Sequence, residues 1–198
     1  MSKLSSLLLS FKSKGPIATL KVVYNGYFVV NKFIVFYRDL SRELEVIDVD
    51  PSITLRQVTL SELDALRRTC AALPPDFYCD LSHKFKTPCV ALVDGKLAAI
   101  LWIVSPEEHS RFLELKSGDV EYNYSYVLPE FRGKRLAGLL ISFMINLCQQ
   151  RGLKRMFAVV SATNIPQFKQ MLDLGFVPVE ALTHFGLKRP KATLEYVK

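Results

Sequence analysis

The strongest constraint on the fold is a strand, a short loop, a long helix and a second strand that follow one another between residues 120 and 160. The apolar residues of the helix recur three or four positions apart and so share one face: Leu136, Leu139, Leu140, Phe143, Met144 and Leu147. The run Met156–Val160 is continuously apolar, which is typical of a parallel strand buried on both faces. The segment therefore predicts an amphipathic helix packed on a sheet.

From residue 53 onward, the rest of the chain alternates between strand and helix patterns. Thr59 and Glu62 form the signature of a capping box before a helix, and Asp94-Gly95 is a tight-turn signal between two apolar runs. Asn164 can cap a further helix that stops at Gly175. The predicted order is β-α-β-β-β-α-β-α-β-β, with strands at Ile53–Val58, Cys89–Val93, Lys96–Ile103, Val120–Val127, Met156–Val160, Phe176–Val179 and Thr183–Leu187. This order predicts a mixed central β-sheet flanked by helices on both faces.

Residues 1–50 differ from the rest and are predicted to form a basic extension ahead of a domain at residues 51–198. Their first forty positions hold six lysine or arginine residues and one aspartate, which accounts for most of the net charge of +7. Phe28–Val30 and Phe33–Tyr37 predict a β-hairpin that turns at Asn31-Lys32. The charge of residues 1–40 fits either a solvated segment or one that contacts an anionic membrane surface, and both remain open.

The composition excludes several classes of protein. The chain has 198 residues, of which 49% are hydrophobic; this suits one globular domain and is too apolar for a disordered chain. Its longest apolar stretches, such as Leu97–Val104, are far shorter than the ~20 residues of a bilayer-spanning helix. The sequence has no base-stacking or groove-reading signature, so nucleic acid is not an expected partner.

The positions of cysteine and histidine indicate neither a disulfide framework nor a metal site. The cysteine spacing matches no zinc or disulfide pattern, which predicts buried free thiols in a reduced, cytoplasmic protein. The histidines are scattered and show no ligand spacing. These residues are Cys70, Cys79, Cys89, Cys148, His83, His109 and His184.

The loop between the strand and the long helix carries the chemistry. It reads VLPEFRGKRLA from Val127 to Ala137, with one glycine, Gly133, and the cations Lys134 and Arg135 beside it. A helix N-terminus presents backbone N–H groups that have no partner within the helix, at the positive end of its dipole. Such an end binds anions, and the two cations suit a pyrophosphate. An ordinary strand-to-helix turn with solvated basic residues explains the same pattern equally well.

The same segment resembles motif A of the GNAT superfamily of N-acetyltransferases, usually written Q/R-x-x-G-x-G/A. Arg132 fits its first position and Ala137 its last, whereas Arg135 stands where the family usually has glycine. A second segment, NIPQFKQMLDLGF, resembles the family's N-x-x-x-x-x-x-Y-x-x-x-G-F block. Asn164 matches the first residue of that block, and Met171 stands at the usual tyrosine.

The resemblance covers about residues 51–188. It implies a GNAT fold and direct transfer of an acetyl group from acetyl-CoA to a primary amine of a small-molecule or peptide acceptor. It also implies that a main-chain N–H near Val127 stabilises the thioester oxygen, and that Met171 either packs against the pantetheine arm or fills the core. The residues it implies for binding acetyl-CoA are Tyr126, Val127, Arg132, Gly133, Lys134, Arg135, Leu136, Ala137, Asn164 and Met171. Neither the acceptor nor the oligomeric state follows from the sequence.

Glu121 is the candidate general base. It lies six residues before Val127, so a regular strand places both side chains on one face, and the histone-acetylating branch of the family uses a glutamate at about this offset. Asn123 and Ser125 are expected on the face of Glu121, lining the acceptor cleft, with the tyrosines at 122 and 124 packed on the other face. The alternative for Glu121 is a solvent-exposed carboxylate paired with a lysine.

Two departures from the family pattern keep other functions open. Met171 cannot donate a proton and Arg135 replaces a glycine, so a non-catalytic acyl-CoA-binding module is one alternative. The basic residues 1–40 suggest a second, a membrane-surface-associated interaction protein that is peripheral to the inner face of the membrane.

Overall fold

The computed structural model describes residues 30–44 and 48–185, together with residues 16, 24, 190–192 and 194. The strands are β1 Asn31–Asp39, β2 Ile53–Gln57, β3 Thr87–Val93, β4 Lys96–Val104, β5 Asp119–Val127, β6 Arg155–Ser161 and β7 Val177–His184. The helices are α1 Leu60–Arg68, α2 Cys79–Ser82, α3 Leu136–Gln150 and α4 Ile165–Asp173, and 3-10 turns lie at Pro75–Tyr78 and Pro129–Phe131. Most of residues 1–40, including all of residues 1–14, lies outside the described residues.

The strands form one seven-stranded sheet in the order β2-β3-β4-β5-β6-β1-β7. Five neighbouring pairs are antiparallel, and β5 with β6 is parallel. Helix α3 connects the two parallel strands, as a crossover between parallel strands requires. The predicted mixed sheet is therefore confirmed, and its single parallel pair lies at the segment that most constrained the fold.

Helices cover both faces of the sheet, as predicted. On one face, α3 and α4 pack on a core that includes Leu140, Met144 and Met171. On the other face, α1 and the turn at Pro75–Tyr78 pack on a second core around the fully buried Trp102. Each strand in the middle of the sheet is thus buried on both sides, which explains their continuous apolar runs.

The predicted capping box before α1 is present. The Thr59 hydroxyl accepts a hydrogen bond from the Glu62 N–H at 3.2 Å, and the Glu62 carboxylate accepts one from the Thr59 N–H at 2.7 Å. These bonds satisfy two backbone donors that would otherwise lack partners at the helix start. The predicted caps at Thr59 and Asn164 both lie where their helices begin.

The hairpin predicted near the N-terminus is wrong at its turn. Asn31-Lys32 begins the continuous strand β1 and pairs with His184 and Thr183 of β7, so these residues do not reverse the chain. Strand β1 lies between β6 and β7, and its Val35 and Phe36 are fully buried on opposite faces. Although β1 precedes residue 51, it is part of the sheet. Phe28 and Val29, in the other predicted strand, lie outside the described residues.

In the described residues, the two strands predicted after residue 175 are one strand, β7, and residues 186 and 187 of the second prediction lie outside the described part of the chain. Its register against β1 shifts so that Val35 pairs with Glu180 and Phe36 with Pro178, which leaves Val179 as an extra residue in a bulge. The bulge interrupts the alternation of side chains, and in the sequence this interruption resembles a break between two strands. Pro178 is tolerated because β7 is an edge strand of the described sheet.

Two other sequence predictions concern the cysteines and the length of the apolar helices. All four cysteines are free thiols, and Cys79, Cys89 and Cys148 are buried. Within the described ranges, none of the helices has the length and apolarity that a membrane span requires.

Candidate functional site

Strands β5 and β6 separate halfway along their length. Their parallel pairing runs only from Asp119 and Arg155 to Tyr122 and Ala158. Beyond that point β5 continues to pair with β4, and β6 with β1. Residues 123–127 of β5 therefore do not pair with residues 159–161 of β6. We call the gap between these two facing edges the split. An unpaired strand edge offers backbone N–H and C=O groups to an extended ligand.

A β-bulge in β5 bends the strand at the split. Asn123 pairs with Trp102 and Tyr126 with Ile100, so β5 uses one more residue than β4 over the same interval. Tyr124 has φ 45°, a left-handed conformation that costs a non-glycine residue of order 1 kcal/mol. Its N–H donates to the Asn123 side-chain oxygen at 2.9 Å, and its ring stacks on that of His83 at 4.6 Å. These contacts stabilise the bulge, which turns the strand away from β6.

The bulge reverses which face the later residues of β5 occupy. Tyr122 packs in the core beneath α3, whereas Tyr124 and Tyr126 pack against the core on the other side of the sheet. Val127 packs on the α3 side. The prediction that Glu121 and Val127 share a face is therefore wrong, because it assumed an unbroken two-residue period. Ser125 is likewise on the side of Tyr122, whose hydroxyl donates to the Ser125 hydroxyl.

Glu121 is fully buried, so the predicted alternative of an exposed carboxylate does not hold. Asn123 donates its side-chain N–H to Glu121 Oε1 at 2.9 Å, and Oε2 has no hydrogen-bond partner among the described residues. Burial raises the pKa of Glu121 to about 7, although the nearby Ser110 side chain and the positive charge of Lys191 both oppose this rise. The carboxyl can therefore gain or lose a proton near neutral pH.

Two side chains that act on Glu121, those of Ser110 and Lys191, come from parts of the chain that the sequence analysis did not identify. Ser110 is buried in the connection between β4 and β5. Lys191 Nζ donates to the carbonyl oxygens of Ser110 and Leu113 at 3.1 Å each. Only the fold brings Lys191 close to Glu121, because the two residues lie seventy positions apart. No local signal in the sequence could have identified the pair.

The predicted phosphate loop ends at a helix N-terminus that has no side-chain cap. Arg135 is the N-cap residue of α3 with φ 56°, and its side chain makes no capping hydrogen bond. The first N–H groups of α3 have no partner within the helix, as in any helix, and here the N-cap side chain does not supply one either. Residue 135 adopts the left-handed conformation that favours glycine. This explains physically why a glycine is usual at the corresponding position of the motif that the chain resembles.

Arg132 connects this loop to the end of β5. Its Nε donates to the Val127 carbonyl at 3.4 Å and its guanidinium to the Tyr126 hydroxyl at 3.3 Å. The Tyr126 ring lies 6.3 Å from that of Phe77, on the face opposite α3. Arg132 thus holds the loop beside the split. The Tyr126 side chain packs on the face of the sheet opposite α3.

The remaining residues of the predicted loop lie around the start of α3. Gly133, Lys134 and Arg135 are exposed, Ala137 is partly exposed and Leu136 anchors the helix in the core. Lys134 and Arg135 also line a pocket of about 330 Å³, together with Asp48, Asp50, Ser52, Ile53 and Leu139. The structure therefore places the cations at the uncapped helix end, as an anion site requires, while Asp48 and Asp50 add negative charge to the same pocket.

Asn164 and Met171 have structural environments that differ from each other. Asn164 caps α4 by accepting the Gln167 N–H at 3.3 Å. Met171 is fully buried in the core with Leu140 and Phe176, so it does not line the split. Of the two places expected for Met171, against a pantetheine arm or in the core, the structure supports the core. In the part of the chain that the structure describes, no group of three or more His, Cys, Asp or Glu residues is placed to hold a metal ion.

Comparison with known proteins agrees with this geometry. The family model described as the acetyltransferase (GNAT) family matches residues 56–176. None of the curated proteins matches the chain. Similar solved structures include a GNAT-family protein from Novosphingobium aromaticivorans DSM 12444, with 18% identity over 78% of this chain and 63% of that one and a TM-score of 0.54.

Two further structures are similar in fold. The GCN5-related N-acetyltransferase from Sphaerobacter thermophilus is 14% identical over 90% of this chain and 60% of that one, with a TM-score of 0.58. The aminoglycoside N-acetyltransferase AAC(6')-Iy, in complex with a bisubstrate analogue of CoA, is 23% identical over 69% of this chain and 98% of that one, with a TM-score of 0.50.

This chain spans less than two thirds of the length of the Novosphingobium and Sphaerobacter proteins. Identities this low support the fold alone. The family model is a different kind of finding, because it matches more than half of the chain and includes both the split and the loop at the start of α3. The chain therefore belongs to the GNAT family of acetyltransferases.

Proposed function

We propose that the protein is an N-acetyltransferase that moves the acetyl group of acetyl-CoA to a primary amine of a small-molecule or peptide acceptor. One observation carries the proposal: the split between β5 and β6 opens beside the uncapped N-terminus of α3. This places an unpaired strand edge, suited to an extended amide-containing arm, next to an anion site, suited to a pyrophosphate. Acetyl-CoA has these two parts in succession.

The residues of this chain fit such a donor. The N–H groups at the start of α3 would hold the pyrophosphate, with Lys134 and Arg135 adding positive charge. Arg132 keeps the loop in place through its contacts with Val127 and Tyr126. The main-chain N–H groups of β5 at the split would donate hydrogen bonds to the thioester oxygen as its negative charge grows.

Glu121 is the proposed acceptor of the amine proton. The attacking nitrogen forms a bond to the acyl carbon, the carbon–sulfur bond breaks and the sulfur keeps its electron pair. A pKa of about 7 lets the Glu121 carboxylate take the proton that the nitrogen loses, at a pH where the enzyme would work. Because the carboxyl is buried two residues before the split begins, we propose that a water molecule at Asn123 relays the proton.

A non-catalytic acyl-CoA-binding module is the alternative that a specific observation favours. Met171 is a methionine and is fully buried, so the split lacks the phenol that the family pattern usually supplies at that position. This alternative retains the donor site and lacks the turnover. We place either activity in the cytoplasm, where the four free thiols would stay reduced.

Two measurements test the proposal. Calorimetry with acetyl-CoA should show binding that weakens as salt rises, because phosphate contacts are electrostatic. Release of free CoA thiol should then be followed with a panel of sugar amines, amino acids, peptides and polyamines. Thiol release that depends on one class of amine supports the transferase. Binding without release for any amine supports the binding module, and no binding at all overturns both.

A further inference from the structure

None of the residues assigned to the proposed site donates a hydrogen bond or a proton to the sulfur atom that leaves with CoA. Methionine has no proton to give, and Met171 is buried away from the split. Yet the sulfur gains a full negative charge when the carbon–sulfur bond breaks. A hydrogen-bond donor beside the split would stabilise that charge.

We propose that the Ser125 hydroxyl donates this hydrogen bond to the CoA thiolate, and that Tyr122, Gln167 and Asn164 position it. The proposal rests on the proposed function, because it places acetyl-CoA in the split. Tyr122 is the last residue of β5 that pairs with β6, and Ser125 lies in the bulge just beyond it. The hydroxyl is thus at the point where the two strands separate.

A chain of hydrogen bonds links these four residues across two elements. Asn164 Nδ2 donates to Gln167 Oε1 at 2.8 Å, in the first turn of α4. This fixes the Gln167 amide so that its Nε2 donates to the Tyr122 hydroxyl oxygen at 3.3 Å. The Tyr122 hydroxyl then donates to Ser125 Oγ. Each residue in the chain is a donor to the next.

The direction of the chain leaves the Ser125 proton available. A phenol has one proton, and Tyr122 gives that proton to Ser125. Burial raises the pKa of Tyr122 to about 12, so the phenol keeps its proton throughout the neutral range. Ser125 is partly exposed, and its own hydroxyl proton has no acceptor in the described part of the chain. A thiolate in the split would be that acceptor.

The proposed step moves no proton to or from Ser125. The amine nitrogen bonds to the acyl carbon and loses a proton to the base, and the sulfur leaves with its electron pair. Ser125 donates a hydrogen bond to that sulfur, and the thiolate takes a proton from water after it leaves. Hydrogen bonds to charged groups are the stronger kind, so loss of this one should weaken thiolate binding about tenfold or more.

The test compares the binding of CoA and desulfo-CoA, which lacks the sulfur, by calorimetry at about pH 7 and about pH 10. In the unmodified protein, the affinity for CoA relative to that for desulfo-CoA should show a gain of about tenfold from the lower to the higher pH, because the CoA thiol is ionised at the higher pH. Ser125→Ala should lose this gain, and Ser125→Thr, which keeps a hydroxyl, should retain most of it. Tyr122→Phe should reduce the gain severalfold, because the proton of Ser125 is no longer directed.

Desulfo-CoA serves as the control for folding and for the donor site. Ser82→Ala makes the same chemical change at an exposed serine that donates to the Tyr78 carbonyl, and it should behave as the unmodified protein does. If Ser125→Ala keeps the full gain while all variants bind desulfo-CoA, the proposal about Ser125 is overturned and the transferase proposal stands. If the unmodified protein binds neither compound, the proposed function fails, and the role of Ser125 fails with it.

Discussion

Burial of the Glu121 carboxyl should make the stability of the fold depend on pH. Folding raises the pKa of this group from 4.5 to about 7, so the folded protein holds the proton more tightly than the unfolded chain does. The stabilisation is therefore complete below the unfolded pKa and is lost as the pH rises through about 7. A shift of this size corresponds to about 3 kcal/mol.

Glu121→Gln should remove that dependence, because the amide imitates the protonated acid and can still accept the bond from Asn123. The unfolding free energies of the two proteins, measured with urea at about pH 4 and about pH 8, provide the comparison. The difference in unfolding free energy between the variant and the unmodified protein should change by about 3 kcal/mol from the lower to the higher pH, in favour of the variant. Parallel curves for the two proteins would mean that the carboxyl is not buried in solution.

Gly133 and Gly138 offer a matched pair of glycine-to-alanine substitutions. Gly133 has φ 84°, and a Cβ atom at this residue would have no neighbour within 4 Å, so Gly133→Ala meets only backbone strain. We expect it to destabilise the fold by about 1 kcal/mol and to weaken acetyl-CoA binding severalfold, because the loop must shift. Gly138 is helical and would contact only the flexible end of Gln170, so Gly138→Ala should stabilise α3 by up to about 1 kcal/mol.

Thermal unfolding and acetyl-CoA calorimetry on the two alanine variants check this contrast. Equal effects on stability would show that the loop does not need the left-handed conformation at residue 133. An unchanged affinity in Gly133→Ala would separate the loop from the donor site.

At the scale of elements, a buried ion pair holds α1 to the segment that follows it. The Arg67 guanidinium pairs with the Asp80 carboxylate of α2 and also donates to the Phe77 carbonyl. Both charged side chains are at most 10% exposed. Removing one partner of a buried pair leaves the other charge without compensation.

Arg67→Met should therefore destabilise the protein by about 3 kcal/mol or more. The matched control is Arg68→Met on the next position of α1, since Arg68 pairs with Asp64 at the surface. An exposed pair of this kind is worth under about 1 kcal/mol. Urea unfolding distinguishes the two variants, and similar losses in both would mean that the pair is open to water.

The strand β5 shows why a sequence pattern can identify an element and still misplace its side chains. Tyr122, Tyr124 and Tyr126 alternate regularly, and a regular strand would put all three on one face. The bulge places Tyr122 beneath α3 and the other two on the opposite side. A bulge depends on pairing with β4 and on the stacking of Tyr124 with His83, which are contacts between distant parts of the chain.

At the scale of the whole molecule, local signals predicted most of the alternation of elements from residue 53 onward, apart from the short helix α2 and the continuity of β7, and long-range pairing decided the rest. Caps, turns and apolar faces are properties of neighbouring residues, so Thr59, Asn164 and the face of α3 could be identified from the sequence. The place of β1 between β6 and β7 could not, since a strand pattern carries no information about its partners. The proximity of Ser110 and Lys191 to Glu121 could not be predicted for the same reason.

The place of β1 leads to a prediction about truncation. Deleting residues 1–14 should leave the affinity for acetyl-CoA unchanged, if this basic segment is an appendage. Deleting residues 1–40 should abolish cooperative unfolding, because it removes the strand between β6 and β7 and with it two fully buried side chains, Val35 and Phe36. Strand β7 would also lose the neighbour that it pairs with in the described sheet. Circular dichroism during heating, with acetyl-CoA calorimetry on the same samples, checks both deletions. A folded protein without residues 1–40 would show that the sheet can form without β1, whereas a loss of affinity in the shorter deletion would make residues 1–14 part of the donor site.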